Sequence, residues 1–191
     1  MDTPKLTGLI AAPFTPMHSD GSVLYERIKE YTEYVISTDC VNGVFICGTT
    51  GESASLTTEE RKRVVESWVK YATDKLKIIV HVGGTSQYQA QDLANHAQEI
   101  GAYAIASIAP FFFKPNKVED LVSYFMPIAN AASQIPFYYY NMPSISGVSL
   151  SVPEFLKQGT LCMPNLRGVK FTHNDLMEMQ QCIQLDNGQF D

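Results

Sequence analysis

A strand-like apolar segment followed by one of helical spacing recurs six times along the 191 residues, and this alternation constrains the fold more than any single motif does. Leu6–Phe14 starts the series, closed by Thr15-Pro16, and the stretch 23–36 then places Val23, Ile28, Tyr31, Val35 and Ile36 near helical spacing. Gly43–Cys47 runs straight into Gly48-Thr49-Thr50-Gly51-Glu52. A helix over 58–71 follows, with Thr57, Thr58, Glu59 and Glu60 supplying capping hydroxyls and first-turn acids. Segments 77–82, 102–108, 136–141 and 166–172 read as the remaining strands, and 90–100, 118–132, 153–158 and 176–185 as their helices.

Strands that alternate with helices pair in parallel, since a parallel pair needs a crossover long enough to hold a helix. A doubly wound sheet and a (β/α)8 barrel both satisfy that rule. The doubly wound dinucleotide fold carries G-x-G-x-x-G after its first strand, where this chain has Pro13-Phe14-Thr15-Pro16. Residues capable of chemistry lie instead at the C-terminal ends of several strands, as in a barrel. The expected fold is therefore an α/β chain of the (β/α)8 TIM barrel type. Eight units take about 250 residues. The chain is thus expected to be a single, incomplete barrel domain over 1–191, truncated after about six of eight units, with its first and sixth strands left as open edges.

Charge and cysteine usage narrow the function classes. A net charge of −6, without a basic stripe or charged block, leaves no footprint for nucleic acid. No apolar run reaches the roughly 18 residues of a membrane span. Met1-Asp2-Thr3-Pro4-Lys5 lacks the apolar core of a secretion signal, so a cytoplasmic protein with no membrane partner is expected. Cys40, Cys47, Cys162 and Cys182 have no C-x-x-C spacing, and His18, His81, His96 and His173 have no H-x-x-x-H spacing. The cysteines read as reduced thiols, mostly core fillers, and no metal is expected.

The chemistry centres on Leu166–Thr172. Alternation along a strand puts Gly168, Lys170 and Thr172 on one face, Val169 and Phe171 on the other. Burying an ammonium there is costly, burial favours the neutral amine, and a neutral amine attacks carbonyl carbon. A strand-end lysine that reaches solvent is the plainer alternative. In Tyr138-Tyr139-Tyr140-Asn141, Tyr138 and Tyr140 share a face. If the fifth and sixth strands are neighbours, the Tyr140 phenol can move a proton beside Lys170; β-propensity explains a tyrosine run equally well. The Gly48–Glu52 turn would aim backbone N–H groups and the hydroxyls of Thr49 and Thr50 at the barrel mouth, where they can hold a carboxylate, unless they only cap a tight turn. Imine former, proton shuttle and carboxylate clamp together make a carbonyl-chemistry site.

Gly48-Thr49-Thr50-Gly51-Glu52, Tyr140-Asn141-Met142-Pro143 and Gly168-Val169-Lys170-Phe171-Thr172 resemble the motifs of the N-acetylneuraminate lyase and dihydrodipicolinate synthase superfamily of class I pyruvate-dependent aldolases. The likeness covers essentially the whole chain. Segments 79–83, 108–112, 136–140 and 169–176 are most similar to the animal-type N-acetylneuraminate lyases within it. The resemblance implies a carbon–carbon lyase of sialic acid catabolism that cleaves N-acetylneuraminate to N-acetylmannosamine and pyruvate. Lys170 would form the Schiff base, Tyr140 would donate and accept the proton, Thr49 and Thr50 would hold the carboxylate, and Thr172 would contact the sugar. The imine is the electron sink, so no cofactor is implied. A homotetramer with small-molecule partners is implied as well.

Two positions depart from the family pattern. Ile145 stands where the synthases carry an arginine for a dicarboxylate, and Phe112 where many relatives place a tyrosine contributed across a subunit interface to a proton relay. An acidic Gly-x-Asp-Glu segment that binds sugar hydroxyls in the family lies beyond residue 191, and Asp191 is not that acid. The full-length parent is therefore expected to be the lyase. The alternatives are a catalytically inactive short form and a sibling 2-oxo acid aldolase or dehydratase.

Overall fold

A computed structural model describes residues 5–191; Met1–Pro4, part of the reading on secretion, lies outside the described residues. Six strands form one sheet in chain order: β1 (Leu9–Ala11), β2 (Val41–Ile46), β3 (Lys77–His81), β4 (Ala104–Ile108), β5 (Phe137–Asn141) and β6 (Leu166–Phe171). Every neighbouring pair is parallel. The helices that join them are α1 (Arg27–Ser37), α2 (Thr58–Ala72), α3 (Gln87–Glu99), α4 (Val118–Ala131), the single turn α5 (Pro143–Ser146) with α6 (Val152–Cys162), and α7 (Leu176–Gln184) after β6.

The sheet is strongly curled. β2 and β5 stand three strands apart, about 14 Å in a flat sheet, yet the rings of Phe45 and Tyr140 meet edge to face at 5.2 Å between centroids. Such contact requires a concave inner face, and these are six units of a (β/α)8 barrel. Phe45, Ile79, Ala106, Tyr138 and Tyr140 line that inner face. Their sequence neighbours Val44, Ile46, Ile78, Val80 and Tyr139 point outward into a larger core shared with the helices. There the buried Phe125 of α4 packs on Phe137, Tyr139 and Phe155 at 5.4, 5.3 and 5.6 Å.

Local chemistry fixes the element ends. Thr57 accepts from the Glu60 backbone N–H while the Glu60 carboxylate accepts from Thr57 N–H, a capping box that starts α2. At the other end of α4, buried Asn165 shares the two hydrogens of its Nδ2 among the carbonyls of Ala129, Ala132 and Ile135, at 3.1, 3.1 and 3.0 Å. Removing it strands buried acceptors, so Asn165→Ala should cost about 2–3 kcal/mol in urea unfolding. A loss below about 0.5 kcal/mol, the range of ordinary surface changes, would show that water satisfies those carbonyls.

Several expectations are corrected. β1 is only three residues long, because Pro13 and Pro16 prevent continuation, and α1 starts at Arg27 after a turn rather than at Val23. The turn α5 was not foreseen, and α6 runs on to Cys162. All four cysteines are free thiols, yet only Cys47 and Cys182 are buried; Cys40 and Cys162 sit at element ends and are exposed.

The sixth strand is also not a bare edge. Asp191 N donates to Arg167 O at 3.0 Å and Val169 N to Asp191 O at 3.1 Å, the start of a further parallel ladder. The Asp191 carboxylate accepts from Leu6 N at 3.1 Å and from the Tyr138 hydroxyl at 2.7 Å, which ties both ends of the sheet across the barrel floor. Gly168 makes that approach possible, since a Cβ there would lie 2.2 Å from the Asp191 carbonyl oxygen.

Candidate active site

The register of β5 on β6 pairs Tyr140 with Lys170 directly. Lys170 Nζ lies 4.3 Å from the Tyr140 ring centroid and 3.6 Å from that of Phe45, so the amine is walled by aromatic faces on the concave side. Burial lowers its pKa from 10.5 to about 8, because the surroundings disfavour the ammonium. A cavity of about 260 Å3 lies beneath it, lined by Phe45, Ile79, Tyr138 and Val169 among others.

The Gly48–Glu52 turn reaches the same place from β2. Glu52 N and Ser53 N fold back on Thr49 O and Gly48 O, and buried Thr15 donates to Gly51 O at 2.7 Å. This puts Thr49 Oγ1 3.1 Å from the Tyr140 hydroxyl, which also lies 3.0 Å from Met142 Sδ. Thr50 is exposed in the same turn. Thr172 follows the end of β6, and its hydroxyl donates to Asn141 O at 2.7 Å, so only its lone pairs remain for a ligand. The fold thus brings Lys170, Tyr140 and Thr49 together, with Thr50 and Thr172 on the rim. A second cavity, about 550 Å3, opens outward from Thr49 past Ser53, Arg61, His81 and Ile145.

Asp191 lies on the floor with Tyr138, well below the mouth. Burial, the hydrogen bond to Asp191 and the Asp191 charge all push the Tyr138 phenol up, so it stays protonated.

Two site residues were not singled out from sequence. Arg61 reads as one charge in the run Glu59-Glu60-Arg61-Lys62-Arg63, but it is buried and forks onto His81 O at 2.7 Å and Gly83 O at 3.1 Å. Its signal was its helical spacing with Val64, Val65 and Trp68, the inner stripe of α2. His81 belongs to the segment 79–83 that carries the family resemblance and lacks H-x-x-x-H spacing, so nothing local gives it a role of its own. Among the described residues no group of three or more His, Cys, Asp or Glu could hold a metal. Burial and the Arg61 charge lower His81 to about 3, which keeps the ring neutral.

Parallel strands curled in chain order, with a lysine of lowered pKa, a phenol and a hydroxyl turn gathered at their C-terminal ends, define a (β/α)8-type protein with a pocket at the strand ends. The sequence matches the model of the dihydrodipicolinate synthetase family over residues 5–190, and the chain belongs to that family. Mouse N-acetylneuraminate lyase is 43% identical over 180 residues, covering 94% of this chain and 56% of the mouse protein. The native structure of N-acetylneuraminate lyase from Aliivibrio salmonicida superposes with a TM-score of 0.95 at 45% identity, over 99% of this chain and 62% of that one. A catalytic lysine mutant of Ruminococcus gnavus sialic acid aldolase gives 0.89 at 29% identity, over 96% and 59%. The chain therefore spans about three fifths of the length of these relatives.

Proposed function

We propose that this chain carries the pyruvate-handling part of a Schiff-base aldolase, a carbon–carbon lyase that splits N-acetylneuraminate into N-acetylmannosamine and pyruvate. The observation that carries the reading is the Lys170 amine, brought to about pKa 8 by burial and paired in register with Tyr140, whose hydroxyl meets Thr49. The names of the relatives, N-acetylneuraminate lyase and sialic acid aldolase, point to the same substrate.

Lys170 attacks the C2 ketone of the open-chain sugar acid and water leaves, giving an iminium. The C3–C4 bond then breaks, its electron pair passing into the iminium as an enamine, while the C4 hydroxyl gives its proton to Tyr140 directly or through the substrate carboxylate. N-acetylmannosamine departs, C3 of the enamine takes a proton, and water cleaves the imine to release pyruvate and free Lys170. Thr49 and Thr50 hold the carboxylate and Thr172 faces the sugar. No organic cofactor or metal is needed. Ile145, at the mouth, offers no charge to a second carboxylate, which favours a sugar acid over a dicarboxylate.

The test is borohydride reduction of the chain with pyruvate, peptide mapping, and assay of pyruvate released from N-acetylneuraminate and from a 2-keto-3-deoxy sugar acid. An adduct on Lys170 with preference for N-acetylneuraminate is expected. Preference for the other acid would make the protein a sibling aldolase, and an adduct without cleavage would make it a pyruvate-binding short form. We place it as a cytoplasmic homotetramer. The apolar side chains of Phe112 and Phe113, 74% and 85% exposed, offer a surface for a second copy.

A further inference from the structure

His81 is a buried histidine to which the mechanism above gives no part. It ends β3 at the centre of the site, and its two nitrogens join the neighbouring strands. Nδ1 lies 2.8 Å from Cys47 O, which can only accept, while Ile108 N–H donates to Nε2 at 3.4 Å. Together these contacts require the neutral Nδ1–H tautomer. Arg61 holds the His81 carbonyl from behind, and Ser53 Oγ lies 3.4 Å from Nδ1. Room for the ring is built in, since a Cβ on Gly83 would come within 2.9 Å of Nε2.

What this clamp holds is the turn that carries Thr49. Cys47 has φ +53, a conformation unfavourable for a residue with a side chain, and its carbonyl is the one His81 grips. The same ring stands edge to face against Tyr140, 5.6 Å between centroids at 85°. We infer that His81 is a positioning residue for proton transfer: it fixes the Cys47 carbonyl and walls the Tyr140 ring, setting the 3.1 Å contact between Tyr140 and Thr49. This rests on the roles given above to Lys170 and Tyr140.

The readout is exchange of the pyruvate methyl hydrogens for deuterium, which uses only the pyruvate half of the site. On the Lys170 iminium a C3–H bond breaks, its electrons form the enamine while its proton passes by way of Tyr140 to solvent, and a deuteron from solvent returns by the same route to C3. His81→Leu should slow exchange at saturating pyruvate at least tenfold, with half-saturation within threefold and the Lys170 adduct retained. His81→Asn keeps a donor near the Nδ1 position, and it should recover exchange to within threefold of wild type. A long-range proton–nitrogen spectrum at pH 7 should show the Nδ1–H tautomer.

Exchange in His81→Leu within threefold of wild type, an Asn variant as slow as Leu, or an Nε2–H tautomer overturns the inference while leaving the aldolase reading intact. If His81→Leu does not fold, the Asn variant and the spectrum decide. A wild-type chain that forms no adduct, or forms one without exchange, removes the reading of Lys170 or of Tyr140 and this inference with it.

Discussion

Replacing Lys170 with methionine is expected to abolish the borohydride-trapped pyruvate adduct and, at neutral pH, to make the protein more stable. The first effect follows because, among the described residues, the amine held over Phe45 and beside Tyr140 is that of Lys170. The second follows from proton linkage. The unfolded lysine titrates near 10.5 and the folded one near 8, so between those values the unfolded chain binds more protons and stability rises with pH. Below pH 8 the full penalty of a buried ammonium is present; above 10.5 it is gone.

At about 1.36 kcal/mol per pH unit such a shift is worth roughly 3–4 kcal/mol; solvent screening of the half-exposed amine reduces it to roughly 2–3 kcal/mol, and methionine of similar length escapes it. The variant should melt roughly 5–10 °C higher at pH 7, with the advantage fading towards pH 10.5. Using the difference between variant and wild type cancels the tyrosines and thiols that titrate in the same window. An equal melting temperature at pH 7, or an advantage unchanged at pH 10.5, would mean that the lysine is solvated. The same titration makes adduct formation speed up as pH rises towards about 8 and then level off.

Tyr140→Phe separates packing from chemistry. Phenylalanine keeps the ring against Phe45 and His81 and removes only the hydroxyl that meets Thr49 and Met142. Stability should change by no more than about 1 kcal/mol, and pyruvate should still be trapped on Lys170. Exchange of pyruvate hydrogens and cleavage of N-acetylneuraminate should each fall by about 10²–10⁴, the usual worth of a positioned acid or base. Turnover within tenfold of wild type would transfer the proton step to another group or to water.

The contrast between residues that sequence placed together and residues it passed over has a physical basis. Lys170, Tyr140 and Thr49 were legible because each sits in a strand or turn whose alternation shows in the chain itself. The pairing of β5 with β6 then followed from connectivity. Arg61 and His81 were not legible: one looks like any helix-surface charge, and the other is a single imidazole among apolar neighbours. Their significance lies in contacts between elements 20 to 34 residues apart, which no local pattern records. Asp191 tells the same story, since its carboxylate serves Tyr138 and Leu6 rather than the mouth.

The sequence by itself determined the six strand-and-helix units, their parallel order and which side chains share a face, because pleat and helical period are properties of the covalent chain. Only the tertiary structure decided that Phe45 and Lys170, four strands apart, would touch and that His81 would be gripped on both nitrogens. It also decided that the floor would close through Asp191. Those contacts depend on how far the sheet curls, and curl is set by packing of the whole inner face against the whole outer layer, a sum that no single segment contains.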